Sequence, residues 1–340
     1  MNIEKWIVRG LLASPKSIQQ LVLGQPPLQI DGRIMDLQMQ LLSKLAQSKP
    51  RLDQLSLDHA RTAVRQGVAM MASRPNPQIS HHQLCIAGPQ SPLLLRVYQP
   101  RNLPADAPAI LYFHMGGFVV GDLDTNHDFC ITLAKICNAK VYSLQYRKAP
   151  EHPFPAAHDD AFAAFTWLSR NAQRQGVDPQ RIAVAGDSAG GAMSALLCQR
   201  LKRLQQPQPK VQLLVYPGTN SEGYGQSWQS CQDCYPLTMN EMIWFHQHFL
   251  GDHTDLSDET VAPMNSTDLA ELAPAIVVTA GFDPLRDQGI AYGQQLAQAG
   301  VSVVQLQMDS LAHGFTAMAG AIDAAAQANR QIATQLQQQL

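Results

Sequence analysis

The stretch RIAVAGDSAGG, residues 181–191, places Ser188 between two glycines directly after an apolar run. Such a run predicts a buried β-strand, and the residues that follow predict a helix that begins at the serine. The glycines on both sides let strand and helix approach closely enough for a sharp, strained turn. The stretch therefore predicts a nucleophile elbow, with the Ser188 hydroxyl clear of the sheet at a helix N-terminus that favours negative charge.

Two further motifs place an acid and a base after apolar runs. Asp283 follows residues 275–279 (AIVVT), and His313 follows residues 303–306 (VVQL). Both runs are typical of buried strands. The order Ser188, Asp283, His313 along the chain is the order of the triad in α/β-hydrolases. Together these signals favour a catalytic triad over an ordinary turn serine.

The acid and the base each have rivals in the chain. Asp283 could instead cap the helix that begins near Pro284, which is a common role for Asp before Pro. Asp287 has the better claim to a structural or ion-pairing role, because a triad acid emerges at the end of a strand. His313 is favoured by its position, since four of the other histidines have no strand-end context: His81, His82, His246 and His248.

A glycine-rich segment lies upstream of the serine. Residues 109–113 (AILYF) predict a strand that leads into residues 114–118 (HMGGF). Acyl transfer passes through a tetrahedral oxyanion, which needs preorganised hydrogen-bond donors. Glycine backbone supplies N–H groups that no side chain obstructs. The segment therefore has the pattern of an oxyanion loop.

With these motifs the chain resembles the hormone-sensitive-lipase family of bacterial carboxylesterases, and the resemblance covers nearly its whole length. The motifs that carry it are residues 114–117 (HMGG), 146–156 (YRKAPEHPFPA), 186–191 (GDSAGG), 283–287 (DPLRD) and 313–315 (HGF). Five motifs in the expected order make the match specific.

The resemblance implies a role for each matched residue. Ser188 would be the nucleophile, His313 the general base and acid, and Asp283 the carboxylate that orients the imidazole. The oxyanion donors would be the backbone N–H groups of Gly116, Gly117 and Ala189.

The chain departs from the family pattern at Met115, where His-Gly-Gly-Gly would place its first glycine. The two glycines aligned with the donors remain, so we expect the oxyanion hole to be kept. A non-glycine residue with positive φ carries a strain cost of about 1 kcal/mol or more. We therefore expect Met115 in an ordinary backbone region, with its side chain filling space beside the site.

Four other polar residues near the motifs are expected to act structurally. His114 stands at a strand end, where a histidine more often holds a loop by hydrogen bonds than takes part in chemistry. The Asp187 side chain should point away from Ser188 and support the elbow. Glu151 and Arg147 are expected to pair or to anchor the proline-rich loop beneath the site, because its polar groups need partners.

The order of predicted elements indicates an α/β-hydrolase fold with an eight-stranded, mostly parallel sheet and helices on both faces. Residues 81–216 and 266–340 would form the catalytic core. The resemblance implies a mainly helical cap from residues 1–80 and the insertion 217–265, which is rich in Met and aromatic residues. A small satellite core that touches no substrate is the alternative for that insertion. The predicted strands are residues 82–87, 93–98, 109–113, 140–144, 181–185, 211–216, 275–279 and 303–307.

Composition agrees with a water-soluble enzyme. The 340 residues are 45% hydrophobic, enough for a large core, and the net charge of −2 predicts no nucleic-acid or acidic-membrane partner. Charged residues interrupt the N-terminal segment, no cleavage site follows, and no apolar run spans a membrane. We therefore expect a cytoplasmic protein, present as a monomer or a homodimer.

The six cysteines include one CxxC, Cys231 and Cys234, which could be redox-active or half of a metal site. No second CxxC or paired-histidine spacing accompanies it, so ordinary reduced thiols are favoured. We expect neither a metal nor a cofactor.

The patterns together predict a serine carboxylesterase that hydrolyses short- to medium-chain acyl esters of small molecules through an acyl-enzyme. The preference for short chains is implied by the family's cap. An amide hydrolase or deacetylase on the same triad stays open, as do an acyltransferase with an alcohol acceptor and a ligand-binding protein on a hydrolase fold.

Overall fold

Strands and helices alternate through most of the chain. The computed structural model describes residues 3–73 and 76–340. The strands are β1 Gln29–Ile30, β2 Arg33–Ile34, β3 Ile79–Ile86, β4 Leu93–Pro100, β5 Ala107–Phe113, β6 Lys140–Gln145, β7 Val177–Asp187, β8 Gln212–Val215, β9 Ala275–Phe282 and β10 Val303–Ala312. The helices are α1 Ile3–Leu12, α2 Lys16–Leu23, α3 Leu37–Ala46, α4 Leu57–Met71, α5 His127–Cys137, α6 Ala156–Asn171, α7 Ala189–Arg203, α8 Ser227–Ser230, α9 Met239–Leu250, α10 Arg286–Gln298 and α11 Asp323–Gln337.

Eight of the described strands form one sheet in the order β10-β9-β8-β7-β5-β6-β4-β3. The pairs from β10 to β6 are parallel, whereas β4 is antiparallel to both β6 and β3. β5, β8 and β9 are buried at every residue, because helices cover both faces of the sheet. This burial explains why their sequences read as continuous apolar runs. The predicted α/β-hydrolase sheet is confirmed.

Two hydrophobic cores lie on opposite faces of the sheet. In one, Phe129 of α5 and Ile332 of α11 pack against alternate residues of the central strands, such as Ile110. In the other, Met193 of α7 and Leu296 of α10 pack against the intervening residues. The alternation follows from the period of two in a strand.

The parallel strands bring their carboxyl ends to one edge of the sheet. In this register Phe113 pairs with Gly186, and Phe282 pairs with Ala312. The segments that follow β5, β7, β9 and β10 therefore meet at this edge. Those segments carry the glycine-rich loop, the serine, the acid and the histidine.

Two local details of the chain differ from the sequence-based prediction. The N-terminal segment, expected to be helical, contains the hairpin β1–β2, whose turn residues Asp31 and Gly32 have φ of 50° and 77°. Asp-Gly is a strong signal for such a turn. Residues 316–338 have the sequence pattern of one helix, whereas the structure has a 3₁₀ turn, Phe315–Met318, and then α11. At Gly320, between this turn and α11, a Cβ would lie 2.3 Å from Met71 O, so the backbone there packs against the end of α4 with no room for a side chain.

The N-terminal segment and the insertion are joined to each other above the carboxyl edge. Glu241, on α9, closes a capping box with Thr238, and its other carboxylate oxygen accepts from Leu52 N at 3.3 Å. In the chain as described, none of the helices is both long and apolar enough to cross a membrane.

Candidate active site

Ser188 occupies the turn between β7 and α7 with φ of 55° and ψ of −119°. Its N–H donates to Val215 O at 2.9 Å, which holds the turn against the neighbouring strand. Glycine is required on both sides: a Cβ on Gly186 would lie 2.3 Å from the Gly190 carbonyl, and a Cβ on Gly190 would lie 2.0 Å from Phe113 O. Close approach of strand and helix thus forces the strained serine conformation.

Ser188, His313 and Asp283 form a continuous line of hydrogen bonds. The serine hydroxyl lies 2.9 Å from His313 Nε2, and His313 Nδ1 lies 2.8 Å from Asp283 Oδ2. All three side chains are buried. A neutral imidazole that donates from Nδ1 to the carboxylate presents Nε2 as the acceptor for the serine proton.

The two candidate carboxylates have different surroundings. Asp283 also accepts from Leu285 N at 2.8 Å, but it does not cap α10, whose N-cap is Leu285 and has no side-chain cap. Asp287 instead accepts from Arg286 at 2.9 Å and from Ser227 N at 2.8 Å. Burial acts to raise the pKa of Asp287, but these hydrogen bonds and the Arg286 charge outweigh it, so the pKa is lowered. Asp287 has no contact with the histidine among the hydrogen bonds of the described residues.

The glycine-rich loop faces the serine across a cavity. Gly116 and Gly117 have φ of 132° and 57°, and both line this cavity together with Ala189. A Cβ on Gly116 would lie 2.2 Å from Val120 O, so the tight loop excludes a side chain there. Within residues 3–73 and 76–340, the N–H groups of the two glycines and of Ala189 are not donors in any hydrogen bond. These amides are free to bind an oxygen atom in the cavity.

Met115 is absent from the described non-glycine residues with positive φ, as expected for an ordinary backbone region. Its sulfur would lie 3.5 Å from a Cβ on Gly314, so its side chain fills space next to the histidine. The strained position in this loop is Phe118, with φ of 64°. Sequence reasoning missed Phe118, because nothing in its residue type signals a left-handed conformation.

His114 is enclosed behind the loop. Its ring stacks on Tyr146 at 4.2 Å between centroids, and its Nδ1 donates to Met115 O at 2.7 Å. Burial lowers the pKa of His114 to about 4. A neutral imidazole bonded to the loop backbone is consistent with a structural role.

Asp187 points away from the serine hydroxyl into a fully buried polar cluster. Its carboxylate accepts four hydrogen bonds of 2.8 to 2.9 Å, from Tyr112, Asn126, Tyr216 and Thr316. Burial nevertheless raises the pKa of Asp187, while these bonds oppose the shift. The four donors come from separate elements, so no sequence spacing could have identified them.

Glu151 and Arg147 do not pair with each other. Arg147 binds Asp160 of α6, at 2.7 Å, and Glu151 binds Arg61 of α4, at 2.6 Å. The Arg61 hydrogen bonds lower the pKa of Glu151 to about 2. The two loop residues therefore do not pair, and each anchors the proline-rich loop to a different helix, α6 or α4.

The cavity beside Ser188 has a volume of about 760 Å³. Its walls come from the central loops, from α1, α3 and α4, and from the insertion. Phe245 of α9 lies over the glycine-rich loop, where a Cβ on Gly117 would be 2.4 Å from its ring. Apolar residues of the insertion line the cavity, among them Trp228, Tyr235, Met242, Phe245 and Phe249. Leu237 and Met242 also form a small hydrophobic cluster with Leu285, so the insertion contains a cluster of its own and also lines the cavity.

The cysteines make no disulfide: all six are free thiols. Cys231 and Cys234 are buried and hydrogen-bonded to each other, which lowers the pKa of Cys231. No group of three or more His, Cys, Asp or Glu side chains that could hold a metal ion occurs among the residues described.

The sheet topology is that of an α/β-hydrolase, and comparison with known proteins makes the class specific. A family model described as the α/β-hydrolase fold matches residues 110–317. The chain is 40% identical to Esterase LipI of Mycobacterium tuberculosis over 85% of its length and 96% of that protein. It is 33% identical to the ethyl acetate hydrolase of Pseudomonas putida, over 84% of this chain and 91% of that one.

Solved structures agree with these relatives. An ester hydrolase from the metagenome of Lake Arreo, complexed with a derivative of bipyridine phosphonate, matches with a TM-score of 0.83 and 35% identity, over 89% of this chain and 98% of that one. The esterase of Pyrobaculum calidifontis matches with a TM-score of 0.82 and 33% identity, over 88% and 97%. The chain belongs to the hormone-sensitive-lipase-like family of α/β-hydrolases, and it is a carboxylic ester hydrolase.

Proposed function

We propose that this protein hydrolyses short- to medium-chain acyl esters through an acyl-enzyme formed on Ser188. The observation that carries the proposal is the line of hydrogen bonds from Ser188 Oγ through His313 to Asp283, at 2.9 and 2.8 Å. These distances are those expected of a nucleophile, its base and the group that orients the base.

The chemistry follows from this arrangement. As Ser188 Oγ attacks the ester carbonyl, its proton passes to His313 Nε2, and Asp283 stabilises the imidazolium. Collapse of the tetrahedral intermediate breaks the bond to the alcohol oxygen, which takes the proton from His313. A water molecule, deprotonated by the same nitrogen, then attacks the acyl carbon; the bond to Ser188 Oγ breaks, the acid is released, and His313 returns the proton to the serine.

The developing oxyanion would be held by the backbone N–H groups of Gly116, Gly117 and Ala189. They have no acceptor within the described chain and face the cavity beside the serine. Ala189 also begins α7, so the helix dipole adds to the stabilisation. Loss of one such donor typically lowers kcat by about 10²–10³-fold.

The cavity favours small apolar esters. At about 760 Å³ it is within the range of small-molecule sites, and the cap aromatics close over the oxyanion loop. The relative named ethyl acetate hydrolase has a small ester in its name, which supports short acyl groups for this chain as well.

The test is a series of p-nitrophenyl esters from acetyl to palmitoyl, with Ser188→Ala alongside. We expect rates that peak at short to medium chains and fall by several orders of magnitude in the variant. A fluorophosphonate should label the wild-type protein at Ser188 and leave the variant unlabelled. Turnover that survives in Ser188→Ala would contradict the proposal.

An amide hydrolase or deacetylase on the same three residues is the second candidate, because nothing in the triad excludes a nitrogen leaving group. Paired ester and amide substrates with the same acyl group separate the two. We expect kcat/KM to favour the ester.

A further inference from the structure

Arg61, on α4 in the N-terminal segment, is hydrogen-bonded to two loops of the catalytic half. Its Nε donates to Val119 O at 3.0 Å, and its Nη2 donates to Ala149 O at 3.0 Å. The two terminal nitrogens also bind the Glu151 carboxylate, at 2.6 and 2.7 Å. The side chain is only 15% exposed. The whole guanidinium therefore joins α4 to the loops that follow β5 and β6.

The two carbonyls belong to the backbone that shapes the glycine-rich loop. Val119 N–H donates to Gly116 O at 2.9 Å and closes the turn that begins at this glycine. Ala149 N–H donates to Phe118 O, also at 2.9 Å, and joins the two loops. Arg61 joins the same two loops, because it donates to the carbonyl oxygens of Val119 and Ala149. The turn after Gly116 is thus held on one side by Ala149 and on the other by a side chain from the N-terminal segment.

We propose that Arg61 is a positioning residue for the oxyanion amides, acting through Val119 and Ala149. The inference rests on the proposed function, because it takes the N–H groups of Gly116 and Gly117 as the oxyanion donors. Donors of this kind stabilise charge only while they are held within about 0.5 Å of the productive geometry. Loss of the two carbonyl contacts relaxes the turn, so transition-state stabilisation falls while substrate binding changes little.

The role depends on the shape of the guanidinium more than on its charge. A second cation, Lys148, donates to Gly121 O at 2.5 Å from the catalytic side, so positive charge stays near the loop without Arg61. A lysine at position 61 keeps the charge but has one nitrogen, which cannot span both carbonyls and the carboxylate. Arg61→Lys should therefore lose most of the effect.

The experiment compares the wild-type protein with Arg61→Gln and Arg61→Lys. Active-site concentrations are titrated with a fluorophosphonate, and kcat and KM are measured on p-nitrophenyl butyrate. Affinity is measured for an alkyl trifluoromethyl ketone, which forms a tetrahedral oxyanion adduct with serine. We expect kcat per titrated site to fall about tenfold in both variants, with KM nearly constant. Ketone affinity should fall by the same factor.

Two further variants separate this role from general stability. Arg65 lies one turn along α4, is exposed, and donates to Thr62 Oγ1 at 3.1 Å within its own helix, so Arg65→Gln should match the wild type. Glu151→Gln keeps both carbonyl contacts and should lose less than Arg61→Lys. A lower melting temperature with unchanged kcat per site and unchanged ketone affinity would overturn the inference. Failure of the wild-type protein to react with the fluorophosphonate would instead overturn the proposed function.

Discussion

Ser188, Phe118 and Tyr216 are residues of the site with a costly positive φ, at 55°, 64° and 35°. A left-handed conformation costs a residue with a Cβ roughly 1–2 kcal/mol. At Ser188 the bond to Val215 O and the close contact of flanking glycines hold it in place. At Phe118, stacking on Phe249 at 4.1 Å does so. Strain of this kind persists only where the surroundings over-determine it.

Met115→Gly tests whether the methionine, which stands where the family has a glycine, affects catalysis. Because Met115 has no positive φ, a glycine relieves no strain and only removes apolar contacts beside Gly314. We expect kcat on p-nitrophenyl acetate to stay within about threefold of the wild type. A rise of about an order of magnitude would mean that the methionine distorts the loop.

His158 gives a second prediction, on stability. It is buried between the rings of Phe118, Phe154 and Phe249, and within the described residues neither ring nitrogen has a hydrogen-bond partner. Burial lowers the pKa of His158 to about 4. The folded state therefore binds fewer protons than the unfolded state between the two pKa values. The buried neutral His158 thus costs the protein no pH-dependent stability above pH 6.5, the pKa of the unfolded state. As the pH falls from there toward 4, the free energy of unfolding decreases.

His158→Leu should remove this acid sensitivity. The difference in free energy of unfolding, variant minus wild type, should be about 2 kcal/mol larger at pH 5 than at pH 8. Urea unfolding at the two pH values measures the change. His82→Gln is the control, because His82 is exposed on an edge strand, and it should show no comparable change. An equal stability difference at both pH values would contradict the burial argument.

At the scale of elements, α9 bears directly on the glycine-rich loop. Gly117→Ala brings a Cβ to 2.4 Å from the Phe245 ring. The positive φ of Gly117 adds a second cost, backbone strain, which a substitution at Phe245 cannot relieve. We expect Gly117→Ala to lower kcat/KM, and Gly117→Ala/Phe245→Ala to recover part of the loss.

The double-mutant cycle on p-nitrophenyl butyrate measures this coupling, expected to be about 1 kcal/mol. Phe245→Ala alone also enlarges the cavity and should move the preferred acyl chain toward greater length. Strict additivity of the two substitutions would mean that α9 does not touch the loop in solution.

The larger elements were predictable because their signals are local. The continuous apolar runs of β5, β8 and β9 predicted strands buried on both faces, and the structure places strands there. The short hairpin β1–β2 was missed, although Asp31-Gly32 is the turn signal that could have identified it. The break before α11 was missed; at that point Gly320 packs against the end of α4, a contact between distant residues that no local pattern indicates.

At the scale of the whole molecule, a few polar contacts hold the N-terminal segment over the cavity. Arg9 of α1 donates to Ala72 O and to Gly320 O, each at 2.6 Å, and Arg61 of α4 binds the catalytic loops. The cavity walls therefore depend on tertiary contacts that span most of the chain. The division of the chain into cap and core, the cytoplasmic location and the oligomeric state stay predictions.

The proposed mechanism supplies nucleophile, proton transfer and charge stabilisation from side chains and amides alone. We therefore expect activity on p-nitrophenyl butyrate to be unchanged after prolonged treatment with a chelator. Added zinc should not raise it, and Cys231→Ser should retain activity. Loss of activity with the chelator that zinc restores would show that the chain uses a metal and would reopen the CxxC as a ligand.

The sequence by itself determined the order of elements, the elbow and the identity of Ser188, Asp283 and His313 as candidates, because glycine spacing and apolar runs are local signals. Tertiary structure alone decided which side chains surround them. The four donors to Asp187, the contact of Phe245 with the oxyanion loop and the reach of Arg61 join residues far apart in the chain. Their contacts depend on how the elements pack in three dimensions, and packing leaves no periodic trace in a sequence.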